Sequence, residues 1–185
     1  MSEITDVNVT TAAPSVNTSY GTARPGFAMN IPDIDWKVVR STKVLYTGGT
    51  FDLFHSGHVN FLKACKNIVG DEGEVVVALN TDEMIKDSKK VEPLPYKERE
   101  AVLLSCRYVD RVVENVGGMD SKPAILGVNP DIIAIGTDWS PGYKDYYKQM
   151  NFTQEWLDEH QITLVYVPYT QEISSTKIRE RLRNG

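Results

Sequence analysis

The sequence predicts an α/β domain built on a doubly wound parallel sheet of five strands, and three observations carry that expectation. Short apolar runs alternate with stretches of helical apolar spacing along most of the chain. Several of those runs are near-continuous in Val, Ile and Leu, as strands covered on both faces are. At 185 residues the chain is long enough for one domain whose interior needs no metal or disulfide staple.

Residues 1–39 are rich in Ser, Thr, Asn, Ala and Pro and follow neither the strand nor the helix period. They read as a disordered arm ahead of a folded domain over 40–185, a linker in preference to an element that docks on a partner through Tyr20, Phe27 and Trp36. The first strand is expected over 43–47, followed by a helix over 58–68 that turns Val59, Leu62 and Cys65 to one side. A strand over 74–80 comes next, then a stretch with Lys86, Lys89 and Lys90 to which the pattern assigns no element, then a helix over 95–108. The remaining elements are a strand at 111–115, a helix at 122–126, a strand at 131–135, a helix at 153–160, a strand at 162–168 and a closing helix at 175–182. Crossover helices between strands make the sheet parallel, a Rossmann-like arrangement whose ligands bind beyond the carboxyl ends of the strands.

Composition removes several classes of function. A formal charge of −5 and a pI near 5.2 argue against an extended nucleic-acid surface, which needs clustered Lys and Arg to displace counterions, while leaving small anionic substrates open. No run of apolar residues is long enough for membrane insertion, and the N-terminus lacks the order of a secretory signal, so the expected location is the cytoplasm. Cys65 and Cys106 both fall in helical patterns and read as small buried residues in a reducing compartment. They assemble no zinc cluster, and no residues are assigned to a metal.

The chemistry concentrates at two strand-to-helix turns. After the first strand the chain reads Gly48-Gly49-Thr50-Phe51-Asp52-Leu53-Phe54-His55-Ser56-Gly57-His58. Glycines there let the backbone approach a ligand closely, the helix start offers unpaired N–H groups to a phosphate, and two imidazoles can donate to the same oxygens. After the last strand, Ser174, Ser175 and Thr176 stand at a helix N-cap, a second place prepared for phosphate oxygens.

The first turn resembles the cytidylyltransferase branch of the nucleotidyltransferase superfamily, whose signature is His-x-Gly-His preceded by Gly-x-Phe-Asp-x-x-His. Ile173-Ser174-Ser175-Thr176-Lys177-Ile178-Arg179 resembles the segment that opens the superfamily's last helix, and the overall length and spacing look most like glycerol-3-phosphate cytidylyltransferases. The resemblance implies that His55, His58 and Lys89 are catalytic. It implies nucleotide contacts from Gly49, Thr50, Phe51, Gly57, Lys86, Arg99, Ser174, Ser175 and Thr176, the lysines lying in a mobile loop. Gly136-Thr137-Asp138-Trp139 is similar to a Gly-Asp-Asp-Trp segment from which relatives contact the nucleoside, so Gly136, Asp138 and Trp139 join the set. The implied reaction takes CTP and a small phosphorylated alcohol and releases pyrophosphate, with Mg²⁺ arriving on the triphosphate. Relatives are commonly dimers, which makes a homodimer one reading of the assembly.

The sequence also departs from that pattern. Where glycerol-3-phosphate enzymes have Arg-Thr-Glu-Gly, this chain has Tyr169-Thr170-Gln171-Glu172, which removes a cation and adds an anion beside the nucleotide. The same Ile-Ser-Ser-Thr string occurs in adenylyltransferases, so ATP stays open as the nucleotide. So does a catalytically silent nucleotide-binding module that kept the fold.

Overall fold

A computed structural model describes residues 42–118, 120–140, 146–150 and 152–185. The arm expected at 1–39 lies outside the described residues. The elements in chain order are β1 (Val44–Gly49), α1 (Ser56–Val69), β2 (Glu74–Leu79), α2 (Asp82–Lys89), α3 (Tyr96–Leu104), β3 (Arg111–Glu114), α4 (Lys122–Val128) and β4 (Ile132–Gly136). A 3-10 turn (Thr137–Trp139), α5 (Tyr146–Met150), α6 (Gln154–Glu159), β5 (Thr163–Val167) and α7 (Ser175–Asn184) complete them.

The five strands form one sheet in the order β3-β2-β1-β4-β5, and every pairing is parallel, with Val44 opposite Glu74 and Leu45 opposite Ile132 in register. The chain winds outward from β1 in both directions. The switch point therefore lies between β1 and β4, where loops diverge and leave a crevice at the strands' carboxyl ends.

Alternation along the strands divides the interior in two. Val44, Tyr46, Val76 and Ala78 face one layer, with Ile125, Tyr146, Phe152 and Leu157 packed over them. Leu45, Val75, Val77 and Leu79 face the other, under Leu62 and Cys65 of α1 and Leu103 of α3. Strands buried on both faces have no polar face to display, which is why the apolar runs in the sequence are continuous. Among the described residues no helix is long and apolar enough to cross a membrane.

The stretch after β2, a mobile loop by the resemblance, is helical over Asp82–Lys89. Thr81 caps it by accepting from Met84 N at 3.2 Å, Asp82 and Glu83 stand in its first turn and Lys86 and Lys89 in its last, so both ends complement the helix dipole. Lys90 closes it in the left-handed conformation, φ 55°. The helix begun by Tyr96 ends at Leu104, earlier than its apolar spacing suggests, so Cys106 sits in the turn beyond it. Cys65 is fully buried, and both cysteines are free thiols.

Candidate active site

The turn after β1 is held in a strained shape from two sides. Phe51 and Leu53 both adopt φ of 47°, a left-handed conformation that costs a residue with a side chain about 1–2 kcal/mol. Asp52 between them is 3% exposed and fastens the loop. Its carboxylate accepts from Leu94 N at 3.0 Å and from the Arg179 guanidinium, and its carbonyl accepts from Ser175 Oγ at 2.6 Å. Fixed contacts of this kind let a loop keep backbone strain that it would otherwise relax.

The two histidines build the start of α1 themselves. His55 is the N-cap, its Nδ1 accepting from Gly57 N at 3.1 Å, while His58 Nδ1 accepts from His55 N at 3.4 Å, so side chain and backbone cap each other. An Nδ1 that accepts a backbone N–H carries no proton, which leaves the neutral ring's proton on Nε2 and makes each Nε2 a donor. The rings stack with centroids 3.9 Å apart, and Phe51 and Phe54 lie 5.2 and 5.4 Å from His58. Burial in this aromatic nest drives the His58 pKa down to about 3, with His55 and Lys89 adding to the effect and Asp52 opposing it. Burial lowers His55 as well. Both imidazoles are neutral donors in the ligand-free protein at neutral pH.

The second turn meets the first across more than 110 residues of sequence. Gly57 is closely hemmed: a Cβ there would sit 3.0 Å from the His55 ring and 3.3 Å from Ile173 Cγ2, so both would have to give by a few tenths of an ångström. Asn60 Nδ2 donates to Thr170 Oγ1 at 3.4 Å, and Ser175 reaches Asp52 as described. Ser174 caps α7, accepting from Lys177 N at 3.2 Å, and Thr176 is exposed in its first turn. The two helix starts that the sequence singles out are thus brought side by side. Ser175 differs from its neighbours, because its hydroxyl is engaged with the first turn.

The basic residues divide into three kinds. Lys89, at the end of α2, donates from Nζ to Thr50 Oγ1 at 2.9 Å and so stands at the first turn. Lys86 points elsewhere and pairs with Glu92 at 2.9 Å between two exposed side chains. Arg99, expected to reach the phosphates, is 2% exposed and turned inward. Its guanidinium donates to Leu94 O at 2.8 Å, Thr50 O at 2.8 Å, Asn80 O at 2.9 Å and Asp82 Oδ1 at 2.6 Å. It fastens the Gly49–Thr50 turn, the end of β2 and the loop before α3 to one another.

Beyond β4, the Thr137–Trp139 turn folds Asp138 back beside Gly136, where a Cβ would lie 2.4 Å from its Oδ1. Thr137 Oγ1 accepts from Tyr169 N at 3.1 Å, which ties this turn to the segment where the sequence departs from its relatives. Trp139 is half-buried and packs edge-on against Tyr146, with centroids 6.1 Å apart. His160 caps α6, its ring against Trp156, and it belongs to neither motif.

Sequence reading passed over Asp52, Asn80, Asp82 and Asn115. Asn80 Nδ2 donates to Thr50 Oγ1 at 3.5 Å, and Asn115 Nδ2 donates to Asn80 Oδ1 at 2.9 Å, so a polar relay runs from the end of β3 to the first turn. The available signal was a polar residue directly after each apolar strand, at the edge where ligands bind.

A family model described as Cytidylyltransferase-like matches residues 46–181, which takes in both turns, most of β1 and the other four strands. The chain belongs to the cytidylyltransferase-like family. It is 36% identical over 140 residues to the glycerol-3-phosphate cytidylyltransferase of Bacillus subtilis, covering 76% of this chain and 97% of that one. It is 38% identical over 136 residues to the FAD synthase of Pyrococcus horikoshii, covering 73% and 88%. Among solved structures, the lipopolysaccharide core biosynthesis protein of Thermoplasma volcanium matches with a TM-score of 0.55 at 26% identity, covering 71% of this chain and 99% of that one. This member of the family is a nucleotidyltransferase.

Proposed function

We infer that this cytidylyltransferase-like enzyme transfers the cytidylyl group of CTP to a small phosphorylated alcohol such as glycerol 3-phosphate. A phosphate oxygen of the acceptor attacks the α-phosphorus, the bond to the α–β bridging oxygen breaks, and that oxygen leaves with pyrophosphate. No protein nucleophile is needed; the protein supplies orientation and donors aimed at the charge that develops. His55 and His58 each direct an Nε2–H to the α-phosphate and the departing bridging oxygen, while the start of α1 adds backbone N–H groups. Ser174 and Thr176 hold the outer phosphates from the start of α7. Lys89 neutralises charge from the Thr50 side. Asp138 accepts from the nucleoside, with Gly136 leaving room beside it.

The observation that carries this reading is the stacked, neutral imidazole pair at a helix start, with its proton-bearing nitrogens fixed by backbone donors. The residues present suit a Mg²⁺ ion that travels with the triphosphate: the site is built of donors to phosphate oxygen, and the Asp52 carboxylate is engaged by Leu94 and Arg179. Such an ion would screen the charge on the leaving pyrophosphate.

Similarity to FAD synthases, together with Tyr169-Thr170-Gln171-Glu172, supports a second reading in which ATP is the nucleotide. A matrix of four nucleoside triphosphates against a panel of phosphorylated alcohols, read as pyrophosphate release, separates the two. CTP with a polyol phosphate is expected to dominate. Release only with ATP would replace the cytidylyl reading by the adenylyl one, and nucleotide binding without release for any pair would leave a silent binding module.

A further inference from the structure

The chain departs from glycerol-3-phosphate enzymes at 169–172, where Tyr169 stands in place of an arginine. Tyr169 is 45% exposed, and among the described residues it is the one aromatic side chain that lies open to solvent. Apolar residues scattered singly over a surface are ordinary. What sets this one apart is its place and the way it is held. It follows the last residue of β5 by two, at the carboxyl edge of the sheet where ligands bind. Three consecutive residues of its loop are fastened by three separate elements. Tyr169 N donates to Thr137 Oγ1 of the turn after β4 at 3.1 Å, Thr170 Oγ1 accepts from Asn60 Nδ2 of α1 at 3.4 Å, and Gln171 O accepts from Lys177 Nζ of α7 at 2.7 Å. None of these bonds uses the Tyr169 ring. A ring presented on a fixed backbone offers a ligand contact area at little cost in ordering, since only two side-chain torsions remain to be set.

The ring's surroundings indicate what it meets. Gly136 ends β4, and a Cβ built on it would lie 4.0 Å from Tyr169 Cδ2 and would run into Asp138 Oδ1. An aromatic ring and a carboxylate therefore border the same bare Cα, next to the switch point between β1 and β4. A flat heterocycle laid on the ring has that carboxylate close by as an acceptor. Ser174, at the start of α7, lies five residues beyond Tyr169, at most about 18 Å of extended chain. A nucleotide whose outer phosphates rest at that helix start can thus return its base to the ring.

We propose that Tyr169 is the platform on which the nucleobase of the substrate stacks. The proposal rests on the nucleotidyl-transfer reading above and names a residue that holds the base. Stacking on an aromatic side chain tolerates any base, because every base has a π face. Tyr169 therefore supplies affinity for the nucleoside and Asp138 supplies the choice among nucleosides, so the two residues fail in different ways when removed.

The test is calorimetry on the full chain with Mg²⁺ and no acceptor, comparing CTP with ribose 5-triphosphate, which keeps the sugar and phosphates and lacks the base. The wild type should bind CTP at least about tenfold more tightly than the base-free compound. Tyr169→Ala should weaken CTP by about tenfold and ATP by a similar factor, with the affinity for ribose 5-triphosphate unchanged. Tyr169→Phe, which keeps the π face and loses the hydroxyl, should bind CTP as the wild type does. A folded Tyr169→Ala protein that holds CTP as tightly as the wild type overturns the proposal. So does one that loses CTP and ribose 5-triphosphate equally, which would mark a disturbed loop, and so does a wild type that binds the two compounds alike. Should Tyr169→Ala fail to fold, Tyr169→Leu, which keeps apolar volume without a π face, replaces it under the same criteria. The transferase reading is tested apart from this, by pyrophosphate release: its absence with every nucleotide and acceptor removes the transfer, while the base-dependent loss in Tyr169→Ala still sustains the platform.

Discussion

Acid should destabilise this fold through His58 in particular, and the size of that contribution follows from its surroundings. Unfolded, the imidazole takes up a proton near pH 6.5; folded, between Phe51, Phe54 and the His55 ring, it resists until about pH 3. Between those values the unfolded chain binds one more proton than the folded one, so stability is full above pH 6.5 and falls as pH drops toward 3. At about 1.4 kcal/mol per pH unit, the loss on going from neutrality to about pH 5 is about 2 kcal/mol from this group alone. His58→Gln keeps a polar amide in the nest and removes the titration. Urea unfolding of both proteins near pH 7.5 and pH 5 gives the comparison: the wild type should lose about 2 kcal/mol more than the variant over that interval. An equal loss in the two proteins would refute the claim that His58 is held neutral by burial, and with it the assignment of its Nε2–H as a donor in the ligand-free enzyme.

Other expectations concern the same site. His58→Ala should lower kcat by at least about 100-fold while nucleotide affinity changes far less, because donors to developing charge act mainly in the transition state; unchanged turnover in the folded variant would remove His58 from the chemistry. Arg99→Met should cost about 3–5 kcal/mol in urea melts, since it strands the Asp82 carboxylate and three backbone carbonyls, and a loss below about 1 kcal/mol would show that water takes over these bonds. CTP should exceed ATP in kcat/KM by at least about tenfold, and Asp138→Ala should narrow that ratio while leaving the pyrophosphate-releasing step intact, as competition kinetics with the two nucleotides would reveal.

Much of this architecture is legible in the sequence because its strands are apolar on both faces. Val75, Val76 and Val77 announce a doubly covered strand without any knowledge of what covers it. The helix starts at His55 and Ser174 are equally plain, since a cap is a local event within four residues. Long-range commitments are what the sequence withholds. Arg99, flanked by Glu98 and Glu100, is a nucleotide contact by the resemblance, and only the fold shows its partners 5, 17, 19 and 49 residues away. Ser175 reads as a phosphate donor until Asp52, 123 residues earlier, appears beside it. The helix over Asp82–Lys89 was legible in principle from Thr81, Asp82 and Glu83, but its lysines drew attention to charge rather than to the cap and dipole pattern they complete. Asn80 and Asn115 show in the sequence only as single polar residues directly after their strands, and their pairing comes from facing each other at the ends of β2 and β3.

The central claim is attack at the α-phosphorus, and the most direct measurement follows the label. With CTP carrying ³²P at the α position, Mg²⁺ and glycerol 3-phosphate or ribitol 5-phosphate, the label should move into a new nucleoside diphosphate conjugate of the acceptor, with one pyrophosphate released for each label transferred and a diphosphate signal appearing in the ³¹P spectrum. Label that emerges as CMP, or remains in CTP while the γ-phosphate is lost, would contradict it.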